Sequence, residues 1–189
     1  MPVINIDFED LNRMLKEPLN SEEFSDIIPK IGADPDDIND KEASVEFFPD
    51  RPDLLSTEGV ARALRAFTEQ ELGLIDYKIN EPTTHMFVSP EVLAVRPFVL
   101  GGIVRRIKLD DVAIKCVMEL QEKLHVTLGR KRKKVSIGIH DLAKIKGPFN
   151  YDVCSEHEPA FIPLQENHEM TPGEILKEHP KGIEYAHLL

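Results

Sequence analysis

Apolar and polar residues alternate over residues 2–6, which predicts a short strand; Asp7 then offers a helix N-cap ahead of Phe8, Leu11 and Leu15 at helical spacing. Pro18 ends that helix. Ser21 is expected to cap a second short helix with Phe24, Ile27, Ile28 and Ile31 on one side, stopped by Gly32. The segment GADPDDIND reads as an acidic turn, residues 43–48 (ASVEFF) as a strand, and residues 49–53 (PDRPD) as a loop stiffened by two prolines. Ser56 caps the clearest helix of the first half, with Glu58 set against the helix dipole, Val60, Ala63, Leu64 and Phe67 on the buried face, and Gly73 closing it. Residues 75–90 read as a last strand followed by a connection, so a domain boundary falls near residue 85.

The second half opens with a strand-like run, residues 98–107, interrupted by Gly101 and Gly102. Asp110 caps a helix of about five turns whose apolar positions are Ile114, Val117, Met118, Leu120 and Leu124, ending at Gly129. Alternation over residues 135–139 predicts a strand with His140 and Asp141 at its end. Another strand is expected after Pro148. The run Thr171-Pro172-Gly173-Glu174 matches a capping box with proline at the first helical position, and its helix stops at Pro180. Strands and helices mixed in this way predict an α+β fold in two parts, residues 1–85 and 86–189.

Charge changes the picture more than composition does. A hydrophobic fraction of 41% and a charged fraction of 30% fit a globular chain with a core. The net charge of −11 argues against contact with phosphates, but it is unevenly spread. Residues 1–85 hold 8 Lys/Arg against 20 Asp/Glu, a net of −12, whereas residues 86–189 hold 15 against 14. Within the second part Arg130, Lys131, Arg132, Lys133 and Lys134 are five cations in succession, a local field the average conceals.

Other chemistry is sparse. Cys116 and Cys154 lack CxxC spacing and read as two reduced, buried thiols. The seven histidines show no metal-ligand spacing, and no phosphate-loop, dinucleotide, zincin or nucleophile-elbow motif occurs. No apolar run is long enough to cross a membrane, and the start has neither a basic leader nor a cleavage site, so a cytoplasmic protein is expected. The apolar ending EYAHLL suggests a fragment. The basic run has two readings: a contact to RNA phosphates, or a solvated loop that meets the last carbonyls of the preceding helix. His140 and Asp141 either present side chains to a pocket, where His can orient a water, or form a turn in which Asp bonds its own backbone. The PDRPD loop is open in the same way, since a turn leading into a helix accounts for it without a ligand.

The segment FFPDRPDLLSTEGVARALRAF resembles the NRPDLLS-x-EG-x-AR signature near the start of phenylalanyl-tRNA synthetase beta subunits, with Asp50 where Asn is commoner. The segment AIKCVMELQEKLHVTLGRKRKKVSIGIHDLAKIKGPF, continued by FIPL and MTPGEILKEHPKGIEYAHLL, is similar to the beta-subunit editing domain of the archaeal and eukaryotic branch. The resemblance implies a small N-terminal structural domain (residues 1–85) followed by the first, incomplete part of an editing domain (residues 86–189). It further implies a cytoplasmic α2β2 enzyme that joins phenylalanine to its tRNA with ATP and magnesium at the alpha subunit, this fragment itself carrying no cofactor.

Editing in such an enzyme would hydrolyse tyrosine mischarged onto phenylalanine tRNA. A pocket shaped for an apolar ring rejects the ring with an added hydroxyl only about a hundredfold, so a second site must admit that ring for hydrolysis through buried polar groups that pair with its hydroxyl and that phenylalanine leaves unpaired. The resemblance needs no metal there, only a positioned water and donors for the oxyanion. On it His140 and Asp141 are candidates for the pocket edge, Lys133 and Lys134 for steering the acceptor end, and the tyrosine-reading residues are expected beyond Leu189. Two further readings stand beside it: a structural and tRNA-docking module with no chemistry of its own, and a free-standing editing protein.

Overall fold

The computed structural model describes residues 2–188, mixed α and β with helices and two small sheets. The chain divides into two compact units interleaved in sequence: residues up to 78 together with 107–138, and residues 79–106 together with those from 139 on. The domain boundary expected near residue 85 comes from the connection read at residues 75–90 and is a separate matter from these two compact units.

In the first unit, strand β1 (Val3–Asp7) lies antiparallel to β3 (Glu42–Phe47), and β2 (Ala33–Ile38) pairs with the other edge of β3. Alternation does its work here: Ile4 and Ile6 of β1 and Ala43, Val45 and Phe47 of β3 all point into the core. Helix α1 (Phe8–Arg13) starts on Asp7, whose carboxylate accepts the Asp10 N–H at 3.0 Å. Helix α2 (Ser21–Ile27) is capped by Asn20 rather than Ser21: Asn20 and Glu23 exchange side-chain and backbone hydrogen bonds at 2.9 and 3.0 Å. Phe8 and Phe24 meet edge to face, with ring centroids 5.1 Å apart.

The acidic GADPDDIND segment is strand β2 and not a turn. Its sequence shows no alternation because it is an edge strand, exposed over much of its length, and the ladder of β3 makes it extended. Pro35 is tolerated there, beside an irregularity in register between Pro35 and Asp37. Helix α3 (Thr57–Phe67) begins on Ser56 as expected and buries Val60, Ala61 and Leu64; Phe67, however, is exposed, and the helix stops short of Gly73. Helix α4 (Asp111–Val126) rests Leu120 and Leu124 against this core, and the Lys123 ammonium donates to the Val3 carbonyl at 2.8 Å.

In the second unit, β4 (Met86–Val88) and β5 (Phe149–Tyr151) form a parallel pair in the register Met86 with Phe149 and Val88 with Tyr151. Helix α5 (Pro172–Glu178) carries the expected capping box between Thr171 and Glu174, and α6 (Pro180–Tyr185) follows after His179, whose ring accepts the Lys181 N–H at 3.1 Å. The strands expected over residues 98–107 and 135–139 are absent from the described structure: both stretches are irregular, and Phe98 and Leu100 are almost fully exposed. An alternating stretch becomes a strand only when a neighbour takes its backbone hydrogen bonds, and among the described residues none pairs with these. Leu189, at the end of the apolar terminus, lies outside the described residues.

Candidate functional site

The turn before α3 shows what the PDRPDLLS-x-EG-x-AR residues do. The Arg51 guanidinium forks onto Asp53, Nε to Oδ1 at 3.0 Å and Nη2 to Oδ2 at 2.8 Å, and Arg62 on α3 approaches the same carboxylate at 4.0 Å. That fork, with Arg62 behind it, holds the Asp53 carboxyl below its ordinary range despite some desolvation. Leu54 and Leu55 plug the core, and Ser56 accepts the Gly59 N–H at 3.1 Å. Gly59 has no substitute: a Cβ there would lie 1.8 Å from the Asp53 carbonyl oxygen. Every one of these residues closes the turn onto the helix, so the geometry gives the motif an architectural task.

The five consecutive cations lie beyond the C-terminus of α4 in a tight loop. Arg130, Lys131 and Arg132 all have positive φ, at 49, 54 and 67°. Backbone bonds tie the loop back to the helix end, Arg130 N–H to the Thr127 carbonyl at 3.0 Å and Lys134 N–H to the Gly129 carbonyl at 2.8 Å. The cations are not equivalent. Arg132 is half-buried and grips both carboxylate oxygens of Glu122 on α4, which lowers the Glu122 carboxyl below its ordinary range, chiefly through that hydrogen bond. Arg130, Lys131, Lys133 and Lys134 are exposed and enter no ion pair among the described residues. One member of the run is therefore an anchor and four are displayed.

His140 and Asp141 belong to the other unit. Both are exposed, and the Asp141 carboxylate accepts the Ala143 N–H at 3.0 Å, starting a short turn at Leu142–Lys144. The cysteines differ from expectation: Cys154 is exposed and Cys116 half-buried. Desolvation, with the nearby carboxylates of Glu58, Asp10 and Glu119, pushes the Cys116 thiol up to about 11, so it is no nucleophile at neutral pH. Among the described residues no cluster of His, Cys, Asp or Glu is suited to a metal ion. A hollow of about 210 Å³ beside the β2–β3 turn, lined by Asn5, Asp37, Asn39 and Glu42, is smaller than an ordinary ligand pocket and is acidic. His125, which sequence reading passed over, turns out to be a buried polar residue beneath the basic loop. The hint in the sequence was its place one turn before Gly129.

Comparison with known proteins agrees with the motif residues. Residues 1–70 match the family described as the Phe-tRNA synthetase beta subunit B1 domain. The whole chain is 43% identical to the phenylalanine-tRNA ligase beta subunit of Methanosphaera stadtmanae and 44% identical to that of Methanosarcina barkeri, covering 34% of each. It is 42% identical to the Methanocaldococcus jannaschii protein of the same name, covering 35% of it. It thus spans about a third of the length of these curated relatives. The crystal structure of an N-terminal fragment of the phenylalanyl-tRNA synthetase beta subunit from Pyrococcus horikoshii superposes with a TM-score of 0.91 at 34% identity, over 100% of this chain and 55% of that one. With a signature turn built as described and similarity running along its full length, the chain is similar throughout to the N-terminal part of archaeal phenylalanyl-tRNA synthetase beta subunits, and its residues 1–70 match their B1 domain.

Proposed function

We propose that the chain contributes to hydrolytic editing of tyrosine mischarged onto phenylalanine tRNA, and that its own part is to hold the RNA backbone through the loop at residues 130–134. The observation that carries this is the displayed array of Arg130, Lys131, Lys133 and Lys134 beside an anchored Arg132, within a chain whose net charge is −11. Four unpaired exposed cations in one loop have no fold-stabilising partner among the described residues, and releasing counterions from phosphates is what such a group does well. In the complete enzyme this piece would serve a cytoplasmic α2β2 assembly with the alpha subunit. ATP and magnesium would act at the synthetic site there. His140 and Asp141 stay candidates for the edge of the editing pocket, with residues following Leu189 in longer relatives supplying the recognition of tyrosine.

A second reading, a structural and tRNA-docking module without chemistry of its own, is favoured by one observation: the Asp141 carboxylate is engaged by its own turn. Release of tyrosine from mischarged phenylalanine tRNA, with correctly charged tRNA as control, separates the two. Selective release that is lost in His140→Ala supports editing chemistry within residues 86–189. No release, with tRNA binding that weakens in Lys133→Glu/Lys134→Glu, supports docking alone. Binding indifferent to charge reversal and to salt would sink both roles for the loop.

A further inference from the structure

Left-handed backbone costs a non-glycine residue about 1–2 kcal/mol, so a loop with three such residues in succession persists only where its surroundings over-determine it. Those surroundings converge on His125, which is 3% exposed in the last turn of α4. Its backbone carbonyl accepts the Arg132 N–H at 3.2 Å, on the way into the loop. Its Nε2 accepts the Ile137 N–H at 2.7 Å, on the way out. The Ile137 carbonyl is held in turn by the Gln121 side chain. Gly129 makes the crossing possible, because a Cβ there would lie 2.5 Å from the Val135 carbonyl oxygen and 2.7 Å from that of His125.

The ring's own chemistry decides its state. An imidazole nitrogen that accepts an N–H carries no proton, so the proton sits on Nδ1. Nδ1 is buried without a hydrogen-bond partner and faces Glu122 at 3.6 Å, the carboxylate that anchors Arg132. One neutral side chain therefore touches the exit of the loop directly and its anchored cation through Glu122.

We propose that His125 is a positioning residue that locks the basic loop in its outward-facing form, presetting Arg130, Lys131, Lys133 and Lys134 for successive phosphates. This rests on the reading of the loop as an RNA contact. The gain is one of preorganisation: a loop already ordered loses less freedom on binding than a floppy one.

The test uses the 189-residue chain, with two independent readouts: amide hydrogen exchange at Ile137, and binding of a phenylalanine tRNA transcript across a salt series. His125→Ala removes the acceptor, whereas His125→Gln places an amide oxygen near the position of Nε2. His125→Ala is expected to speed Ile137 exchange and to weaken tRNA binding about tenfold, with His125→Gln restoring much of both. Exchange as fast in His125→Gln as in His125→Ala would overturn the lock, as would native-like tRNA affinity in His125→Ala. The double variant Lys133→Ala/Lys134→Ala isolates the other premise. If it binds tRNA normally while Ile137 protection still follows the Ala and Gln pattern, the RNA reading fails and the purpose assigned to His125 falls with it. If it binds weakly, the lock is judged on the two His125 variants.

Discussion

The region from Ile4 to Leu64 and the rest of the chain handle apolar residues in opposite ways. In the first, sixteen buried apolar side chains form one continuous core beneath a three-stranded sheet. In the rest, Val92 and Met170 are the buried apolar side chains among the described residues, while Phe98, Leu100 and Leu164 stand in solvent. Burial removes roughly 25 cal/mol of free energy for each Å² of apolar surface, so the first region supplies most of the cohesion this chain has on its own. The match of the B1 family to residues 1–70 covers that same region. What the difference teaches is that similarity along the full chain and self-sufficient packing are separate properties. The remainder keeps its local order through caps and short pairings, such as the Thr171 and Glu174 box and the β4–β5 pair.

The sharpest way to break this comparison is to truncate one apolar side chain in each region. Phe47→Ala is expected to cost about 3–5 kcal/mol in urea unfolding, while Phe98→Ala stays within about 0.5 kcal/mol; equal losses would show that the exposed stretch is packed after all. Next comes Gly59→Ala, where the added methyl meets the Asp53 carbonyl and must displace the turn. A loss of about 2–3 kcal/mol is expected from the same measurement, and a neutral result would remove the architectural account of the motif. Ser56→Ala should cost about 1 kcal/mol by deleting the cap of α3, with His140→Ala as a near-silent reference in the other unit.

The smallest effect is one of pH. The Asp53 carboxyl is lowered in the folded state, first by the Arg51 hydrogen bond, so its contribution is present above the ordinary carboxylate range and lost as pH falls through the lowered value. Both partners are more than a third exposed, so solvent screens the pair and its worth is under about 1 kcal/mol. Asp53→Asn should flatten the acid limb of stability slightly. Added salt should flatten it in the wild type too, and an acid limb indifferent to both changes would remove the pair from the account.

The sequence by itself determined what depends on a few neighbouring residues. The caps at Asp7, Ser56, Asp110 and Thr171, the strands β1 and β3, and the resemblance carried by the PDRPDLLS run were all legible there, because each is a pattern within a few neighbouring residues. Tertiary structure decided the rest. It made a strand of GADPDDIND by offering the edge of β3, and it left residues 98–107 irregular, because pairing is a property of two segments and not of one. It also divided five identical-looking cations into one anchor and four displayed charges, and put His125 beneath them. Those distinctions depend on which carboxylate, carbonyl or amide lies within 3 Å, a distance that folding sets and spacing along the chain does not.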